Sequence, residues 1–467
     1  MKKNLLNQKL KSICKFIPYD EDLELNKKYS ADWRGRFSNI SLGVIFPNST
    51  TEVSKIVKLA NKHNLNLIPQ GGNTGLVGGT APSKNKKQII LNLEKMNNII
   101  EIDEQNQSIY LEAGVIIENA NSKLESNGFI FPLNMSSIGS SQVGGTIATN
   151  AGGMNVVRYG SMRNNILSLE VVLANGEILL LGSNLIKDNT GYNLKDIFCG
   201  SEGTLGVITK ARIKIHPKPI DYSTCFISID SIENVIDIFN YVRKNLSDNI
   251  ERIEFISDLS FELCLKHKLL HKRFFQKRTE YYLLIKFIYF NDSKTNSENI
   301  EKFFSIQEKN CEEFLLAQNE KESMDFWKFR ESLTEAQKID GKLLGFDISV
   351  PINNMKIFLS KSKKKIEKLV PNIKFHIFGH LGDSNIHFNL IEPDNFKKDF
   401  YKFEERIKKI INKLIIEFEG SISAEHGIGM LKKDDFKSTK NIREIKLMKK
   451  IKNLFDEKNI LNKDKIF

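Results

Sequence analysis

The spacing of apolar residues changes character along this chain, and those changes set out its elements. Val53, Ile56, Val57 and Ala60 recur at helical spacing, and Ser49 with Glu52 forms a capping-box signature ahead of them. A short apolar run at 65–68 predicts a strand, and further strands are expected at 88–93, 99–103 and 108–113. A helix over 116–127 is closed by Gly128. Residues 167–181 form a hairpin around Asn175-Gly176, a dipeptide suited to the primed turns that match strand twist. Beyond Pro219 glycine becomes scarce, and amphipathic helices alternate with strands. A strand at 223–229 leads into a helix at 231–246 with Ile232, Val235, Ile236, Phe239 and Val242 on one face. A strand at 281–290 and a helix at 323–339 continue the pattern. The expected class is α+β, with a first domain over 1–219, a second over 220–454 and a loop-like C-terminal segment at 455–467.

Three glycine-rich tracts interrupt the first domain. The strand at 65–68 runs into Pro69-Gln70-Gly71-Gly72-Asn73-Thr74-Gly75-Leu76-Val77-Gly78-Gly79. Bare backbone of this kind lines concave sites for phosphate or pyrophosphate with successive N–H groups. It also serves as a plain structural turn. The spacing matches neither GxGxxG nor GxxxxGK[ST], which argues against NAD and ATP. The second tract runs from Gly139 to Gly153 and continues into Arg158-Tyr159-Gly160-Ser161. The third is Gly200-Ser201-Glu202-Gly203-Thr204-Leu205-Gly206. Together they suggest an extended cofactor touched along its length by backbone.

Composition narrows the class. The 467 residues, 40% hydrophobic and 27% charged, are those of a soluble globular protein of two or three domains. The net charge of +12 comes from lysines spread over the whole chain, with no aromatic-interleaved basic patch. A solvated lysine-rich surface is expected and nucleic acid is not; peripheral contact with acidic membrane surfaces stays open. Five widely spaced cysteines without a CxxC fit a reducing compartment. The basic start, MKKNLLNQKLKSICKFI, has too short an apolar run for a signal peptide and fits an amphipathic helix. No run reaches transmembrane length. The expected location is cytoplasmic, with an organelle matrix as the alternative.

Residues 379–389, GHLGDSNIHFN, carry the most distinctive chemistry. Phe375 and Ile377 on one side, and Ile386, Phe388 and Leu390 on the other, alternate around turn-forming residues, which predicts a β-hairpin. A turn centred between Asp383 and Ser384 sets His380 opposite His387, with Cβ atoms roughly 5 Å apart. That is close enough for two imidazoles to share a metal ion, and Asn389 lies on the same face. Two surface histidines on a hairpin satisfy the same pattern.

The tracts PQGGNTGLVGG, IATNAGG, RYGS, KDNTGYNLK, GSEGTLGVIT, GHLGDSNIH and SAEHGIG, in this order, resemble flavoproteins of the vanillyl-alcohol-oxidase-type (PCMH-type) FAD fold. Within that fold they most resemble the D-2-hydroxyglutarate dehydrogenases, over nearly the whole chain from Asp32-Trp33 to Asn462. The resemblance implies two subdomains cradling non-covalent FAD and an α+β cap domain with a ferredoxin-like sheet. It assigns Gln70, Gly71, Gly72, Asn73, Thr74, Gly75 and Leu76 to the cofactor. To these it adds Gly139, Ser140, Gly144, Gly145, Thr149, Asn150, Gly153, Tyr159, Glu202, Gly203 and Ile208. Family members commonly return to the flavin with an Asn-Pro step near the chain end, so the segment 455–467 is expected to return to the first domain. Here Asn462 is kept and Lys463 replaces the proline, which leaves that backbone less fixed.

Removing hydride from C2 of a 2-hydroxy acid also requires loss of the hydroxyl proton. A metal on that oxygen lowers its pKa, and a base takes the proton. The resemblance makes His380, His387 and Glu425 the ligands of a divalent metal, zinc first, with manganese or iron also suited. It makes His426 the base and places Arg330, Thr334 and Asn389 on the substrate. Arg330 has the fork geometry a carboxylate needs and sits four residues from Thr334 on one helix face; it could equally pair with Glu331 or Glu335. One departure stands out: Gly345 occupies a position where many relatives carry lysine, with Lys342 as the nearby cation. The implied activity is oxidation of D-2-hydroxyglutarate or a close relative, with electrons passed to a protein or quinone acceptor. D-lactate dehydrogenase or glycolate oxidase subunits are the sister alternatives, and a flavin-bound electron-transfer subunit is the alternative of another class. A homodimer stays open.

Overall fold

In the computed structural model, which describes residues 3–84, 87–290 and 294–467, the glycine-rich and glycine-poor regions fold as separate units. The first comprises Met1–Gly152, Tyr159–Lys218 and Glu425–Phe467; the second comprises Gly153–Arg158 and Pro219–Ala424.

The first unit is built on two sheets. Strands β1 (Lys15–Pro18), β2 (Gly43–Phe46), β3 (Asn66–Gln70) and β4 (Gln88–Asn92) pair in the order β1-β2-β4-β3, with β2 and β3 parallel to β4. β2 and β4 are buried throughout, as expected of strands covered on both faces. Helix α1 (Thr50–His63) begins at Ser49, whose hydroxyl accepts from the Glu52 N–H at 3.2 Å. The second sheet joins β5 (Ile99–Asp103), β6 (Ser108–Glu112), β7 (Ile166–Val172), β8 (Ile178–Gly182) and β9 (Val207–Lys214) in the order β5-β6-β9-β7-β8. Helices α2 (Ile117–Glu125) and α3 (Val143–Ala148) pack on its core. Gly144 allows the close approach of α3, because a Cβ there would stand 2.7 Å from that of Ala113. The basic N-terminal segment is a helix over Lys3–Lys11, its first two residues lying outside the described ones.

The chain end returns to the first unit, but the return starts earlier than expected. The chain leaves the second unit after Ala424, well before residue 454, and Glu425 to Phe467 pack with the first unit. Backbone bonds explain this. The Met430 and Leu431 N–H groups donate to Val77 O at 2.9 and 3.1 Å, and Leu461 forms a parallel bridge with Leu67. Lys452 is buried and donates to the carbonyls of Thr204 and Leu461 at 2.7 and 3.0 Å.

The second unit is a seven-stranded antiparallel sheet between two layers of helices. Its strands are β10 (Asp221–Ile229), β11 (Ile250–Ser257), β12 (Tyr281–Tyr289), β13 (Glu313–Leu316), β14 (Leu343–Ser349), β15 (Lys374–His380) and β16 (Asn385–Ile391). They pair in the order β13-β10-β12-β11-β15-β16-β14. Alternate residues divide between two cores. Cys225, Ile227, Leu283 and Ile285 join α4 (Ile232–Asn245), while Phe226, Tyr282 and Leu284 face α5 (Asp258–Lys266) and α6 (Glu320–Asp340). Phe226 is fully buried there, its ring 4.9 Å from Phe275 and 5.3 Å from Phe326. Helix α6 buries Phe326, Phe329, Arg330, Leu333 and Gln337, one stripe at helical spacing with a charged residue inside it. Among the described residues no helix is long and apolar enough to cross a membrane.

At the end of α6, Asp340 collects Lys266 and Lys374 at 2.5 Å each and His267 at 2.9 Å. Burial alone would raise its carboxyl, but these donors outweigh it and hold the pKa at about 2. A depressed carboxyl contributes stability that is full above the ordinary value and drains away as pH falls through the folded value. Asp340→Asn is therefore expected to lower the denaturation midpoint at pH 6. That gap should narrow as pH falls from about 4 towards 2, and a pH-independent gap would refute the ionic assignment.

Candidate active site

In the first unit the glycine tracts converge on a cleft of about 730 Å³, open solvent included. Gln70, Gly71 and Gly75 line it from the first tract, Gly144, Gly145 and Thr149 from α3 and its end, and Glu202, Gly203 and Ile208 from the third tract and β9. His426 and Asn462 complete the wall. A Cβ at Gly75 or Gly145 would meet no protein atom within 4 Å, so bare backbone faces open space at both points.

Other expected cofactor residues support the walls instead. A Cβ on Gly72 would stand 1.9 Å from Ser140 O, so these two tracts touch backbone to backbone. The Asn73 side chain donates to Ala31 O at 2.8 Å, and Thr74 and Ser141 share a hydroxyl contact of 3.0 Å. Asn150 accepts from the Arg163 N–H at 2.9 Å, and the Tyr159 ring lies 4.6 Å from that of His216. Leu76 and Gly139 are not among the lining residues, and Gly153 belongs to the second unit. Val77, Gly79, Thr80, Leu93, Ala113 and Gly206 also line the cleft. Leu93 and Ala113 carry no signal in the sequence, since apolar strand ends look like ordinary core.

Glu202 organises this cleft. Its carboxylate is buried and accepts from the Ile428 and Gly429 N–H groups at 2.7 and 2.8 Å, which pins the loop carrying His426. Burial raises its pKa, against the pull of those two N–H groups and of Lys465 and Lys432. Asn462 is well fixed despite Lys463. Its N–H donates to Leu67 O at 2.8 Å and its amide to Gly79 O at 3.0 Å and Glu202 O at 2.6 Å. The β-bridge does what a following proline would have done. Asn462 Oδ1 is buried without a hydrogen-bond partner among the described residues, so it can accept from a ligand. Bare glycines, small apolar walls and an unmet acceptor fit a long, flat cofactor such as FAD.

In the second unit, one sheet face carries His380, His387 and Asn389. The expected hairpin forms, but its turn is the 3-10 segment Leu381–Asp383 followed by Ser384 in the left-handed region. The register therefore sets His387 opposite Phe378 rather than His380, and opposite Asp347 on its other side. His380 and His387 are diagonal neighbours on one face, their rings 5.3 Å apart at 86°. Asn389 is buried on the same face, opposite Gly345. Asp347 is buried and accepts from the Asn385 amide at 2.8 Å. Glu425 follows Ala424, whose N–H reaches Asp347 O at 3.4 Å, so the chain leaves the unit beside this strand.

The residue the sequence did not announce is Glu254, in the middle of β11 and fully buried. Its Oε1 lies 2.5 Å from His380 Nδ1, and its Oε2 accepts from Arg330 Nε at 2.7 Å, with Nη2 at 2.6 Å. Burial would raise this carboxyl, but Arg330 and His380 outweigh it and hold it below the ordinary value. Arg330 is buried, stacks 4.7 Å from the Phe378 ring and pairs with neither Glu331 nor Glu335 as its ion-pair partner. Thr334, one turn further along α6, is exposed. A glutamate between Ile253 and Phe255, on a strand buried along almost its whole length, is the available signal. Lys342 does not replace the missing lysine. Its ammonium lies 4.0 Å from Glu392 and over Tyr401, while a Cβ on Gly345 would press within 2.9 Å of Asn389 Oδ1.

Comparison with known proteins gives this chemistry a family. Residues 41–182 match the FAD binding domain model, and residues 218–466 match the model for the C-terminal domain of FAD linked oxidases. The mitochondrial D-2-hydroxyglutarate dehydrogenase of Arabidopsis thaliana is 33% identical over 96% of this chain and 78% of its own length. The D-2-hydroxyglutarate–pyruvate transhydrogenase of Saccharomyces cerevisiae is 34% identical over 93% of this chain and 88% of its own. The crystal structure of p-cresol methylhydroxylase superposes with a TM-score of 0.73 at 16% identity, over 98% of this chain and 95% of that one, and shares the fold. The chain is thus an FAD-dependent oxidoreductase of the FAD-linked oxidase class. Within that class it belongs to the D-2-hydroxyglutarate dehydrogenase-like family.

The contact between the first two tracts is open to test. Gly72→Ala forces them apart, so the purified variant is expected to carry less flavin, measured by the ratio of absorbance at the flavin band to that of protein. An unchanged ratio would show that this contact does not shape the cofactor site.

Proposed function

We propose that this protein is an FAD- and divalent-metal-dependent dehydrogenase oxidising a D-2-hydroxy acid, D-2-hydroxyglutarate or a close relative, to the 2-oxo acid. The observation that carries the reading is His426 on the wall of the glycine-lined cleft, a competent base beside the place suited to FAD. The bound groups supply a hydride acceptor for C2 and Lewis acidity at the hydroxyl oxygen. His380, His387 and Glu425 are the ligand set, with zinc first and manganese or iron also suited.

The chain's own residues then divide the work. His426 takes the hydroxyl proton on an imidazole nitrogen, a group type suited to proton transfer near neutral pH. Arg330 receives the substrate carboxylate from its Nη1 side, since Nε and Nη2 are directed at Glu254. Asn389 and Thr334 orient the substrate. Electrons leave to a protein or quinone acceptor.

A second reading, a monocarboxylate such as D-lactate or glycolate, is favoured by one feature. Gly345 offers no cation for a second carboxylate, and Lys342 is engaged with Glu392.

Anaerobic mixing with D- and L-2-hydroxy acids, with and without chelator, tests both. The D-enantiomers are expected to bleach the flavin, with D-2-hydroxyglutarate ahead of D-lactate and glycolate, and chelation should abolish the reaction. Preference for a monocarboxylate would move the assignment to the second reading, and indifference to chelator would remove the metal. His426→Ala is expected to slow flavin reduction by about 10²–10⁴-fold. Unchanged reduction would leave the chain a flavin carrier without its own substrate chemistry.

A further inference from the structure

Glu254 sits where two tasks meet. It is fully buried on β11, across from His380 on β15, and it faces Arg330 from α6. A buried arginine needs a counter-charge, and breaking such a pair leaves an uncompensated ion. Neutralising Arg330 would by itself explain a glutamate here. The division of its oxygens says more. A carboxylate serving only an arginine commonly accepts the two N–H groups on two oxygens, fork to fork. Here both Arg330 nitrogens converge on Oε2, at 2.7 and 2.6 Å, and Oε1 is left to His380 Nδ1 at 2.5 Å.

That contact fixes the imidazole. An ionised carboxylate only accepts, so Nδ1 must carry the proton and donate it, which makes Nε2 the unprotonated nitrogen, the form that ligates a cation. The backbone reinforces the geometry, since Glu254 and His380 are directly paired in neighbouring strands. Arg330 is held by the same carboxylate and by the Phe378 ring, 4.7 Å away.

We propose that Glu254 is a positioning residue that holds His380 in the Nδ1–H tautomer for the cation and at the same time aims Arg330 at the substrate carboxylate. One buried side chain thereby couples cation affinity to recognition of the acid. The inference rests on the metal reading above.

The test is Zn(II) affinity by chelator competition on the full-length flavoprotein, in wild type, Glu254→Gln and the double variant Glu254→Gln/Arg330→Met. The double variant leaves no unpaired buried guanidinium, so it keeps the test open should the single variant fail to fold. Flavin content serves as the check that the chain is intact. Both variants are expected to retain flavin while Zn(II) affinity falls by about 10–100-fold, the usual effect of losing a carboxylate behind a ligating histidine. Wild-type affinity in the variants would overturn the proposal and leave Glu254 as a counter-ion for Arg330. If wild type itself takes up no Zn(II), Mn(II) or Fe(II), the metal reading fails first and this inference falls with it. A direct readout on wild type is the ¹⁵N spectrum of the histidine side chains. A His380 protonated at Nε2 rather than Nδ1 in the metal-free protein would also overturn the proposal.

Discussion

A carboxylate with no solvent exposure, shared between a guanidinium and an imidazole, is the constraint on which the second unit's chemistry depends. Glu254, Arg330 and His380 come from a strand, a helix and a neighbouring strand, and none could be buried alone without large desolvation. Together they are satisfied: the carboxylate stays ionised below its ordinary range because both partners outweigh the effect of burial. The apolar rings around them exclude water and strengthen each contact. The same packing that satisfies the triad fixes the orientation of both the Arg330 guanidinium and the His380 imidazole.

The first unit solves a different problem by different means. Its cleft has few charged groups and much bare backbone, so shape is set by where a Cβ would collide. Gly72 against Ser140 and Gly144 against Ala113 bring segments together, while Gly75 and Gly145 leave room for something else. Glu202 contributes a buried carboxylate to it, held by two backbone N–H groups. It thereby carries the loop with His426 onto a cleft made, apart from Asn462, by residues more than two hundred positions earlier.

Much of this was legible in the residues. The helix beginning at Thr50, the hairpin at Asn175-Gly176 and the three glycine tracts announced themselves through spacing and turn chemistry, which are local. The histidines of β15 and β16 were placed on one face correctly, yet their register was not. A two-residue turn and the observed 3-10 turn differ only in local backbone dihedrals that the sequence GHLGDSN allows in either form. The boundary of the second unit lies beyond local signals for a related reason: residues 425–454 have the amphipathic texture of the cap region, and their return is decided by bonds to Val77 and Glu202.

What the sequence by itself determined, then, is element type, the glycine cradle and the ordered motifs shared with FAD-dependent oxidoreductases. These follow from periodicity, backbone freedom and side-chain chemistry, which each residue carries with it. Tertiary structure alone decided that Arg330 lies on the buried stripe of its helix and meets Glu254, and that Lys342 turns away to Glu392. It also decided which nitrogen of His380 faces a carboxylate. Such pairings join residues 50 to 126 positions apart, and for the two made by Glu254 burial is what makes them worth forming, because in water each partner would be equally well solvated alone.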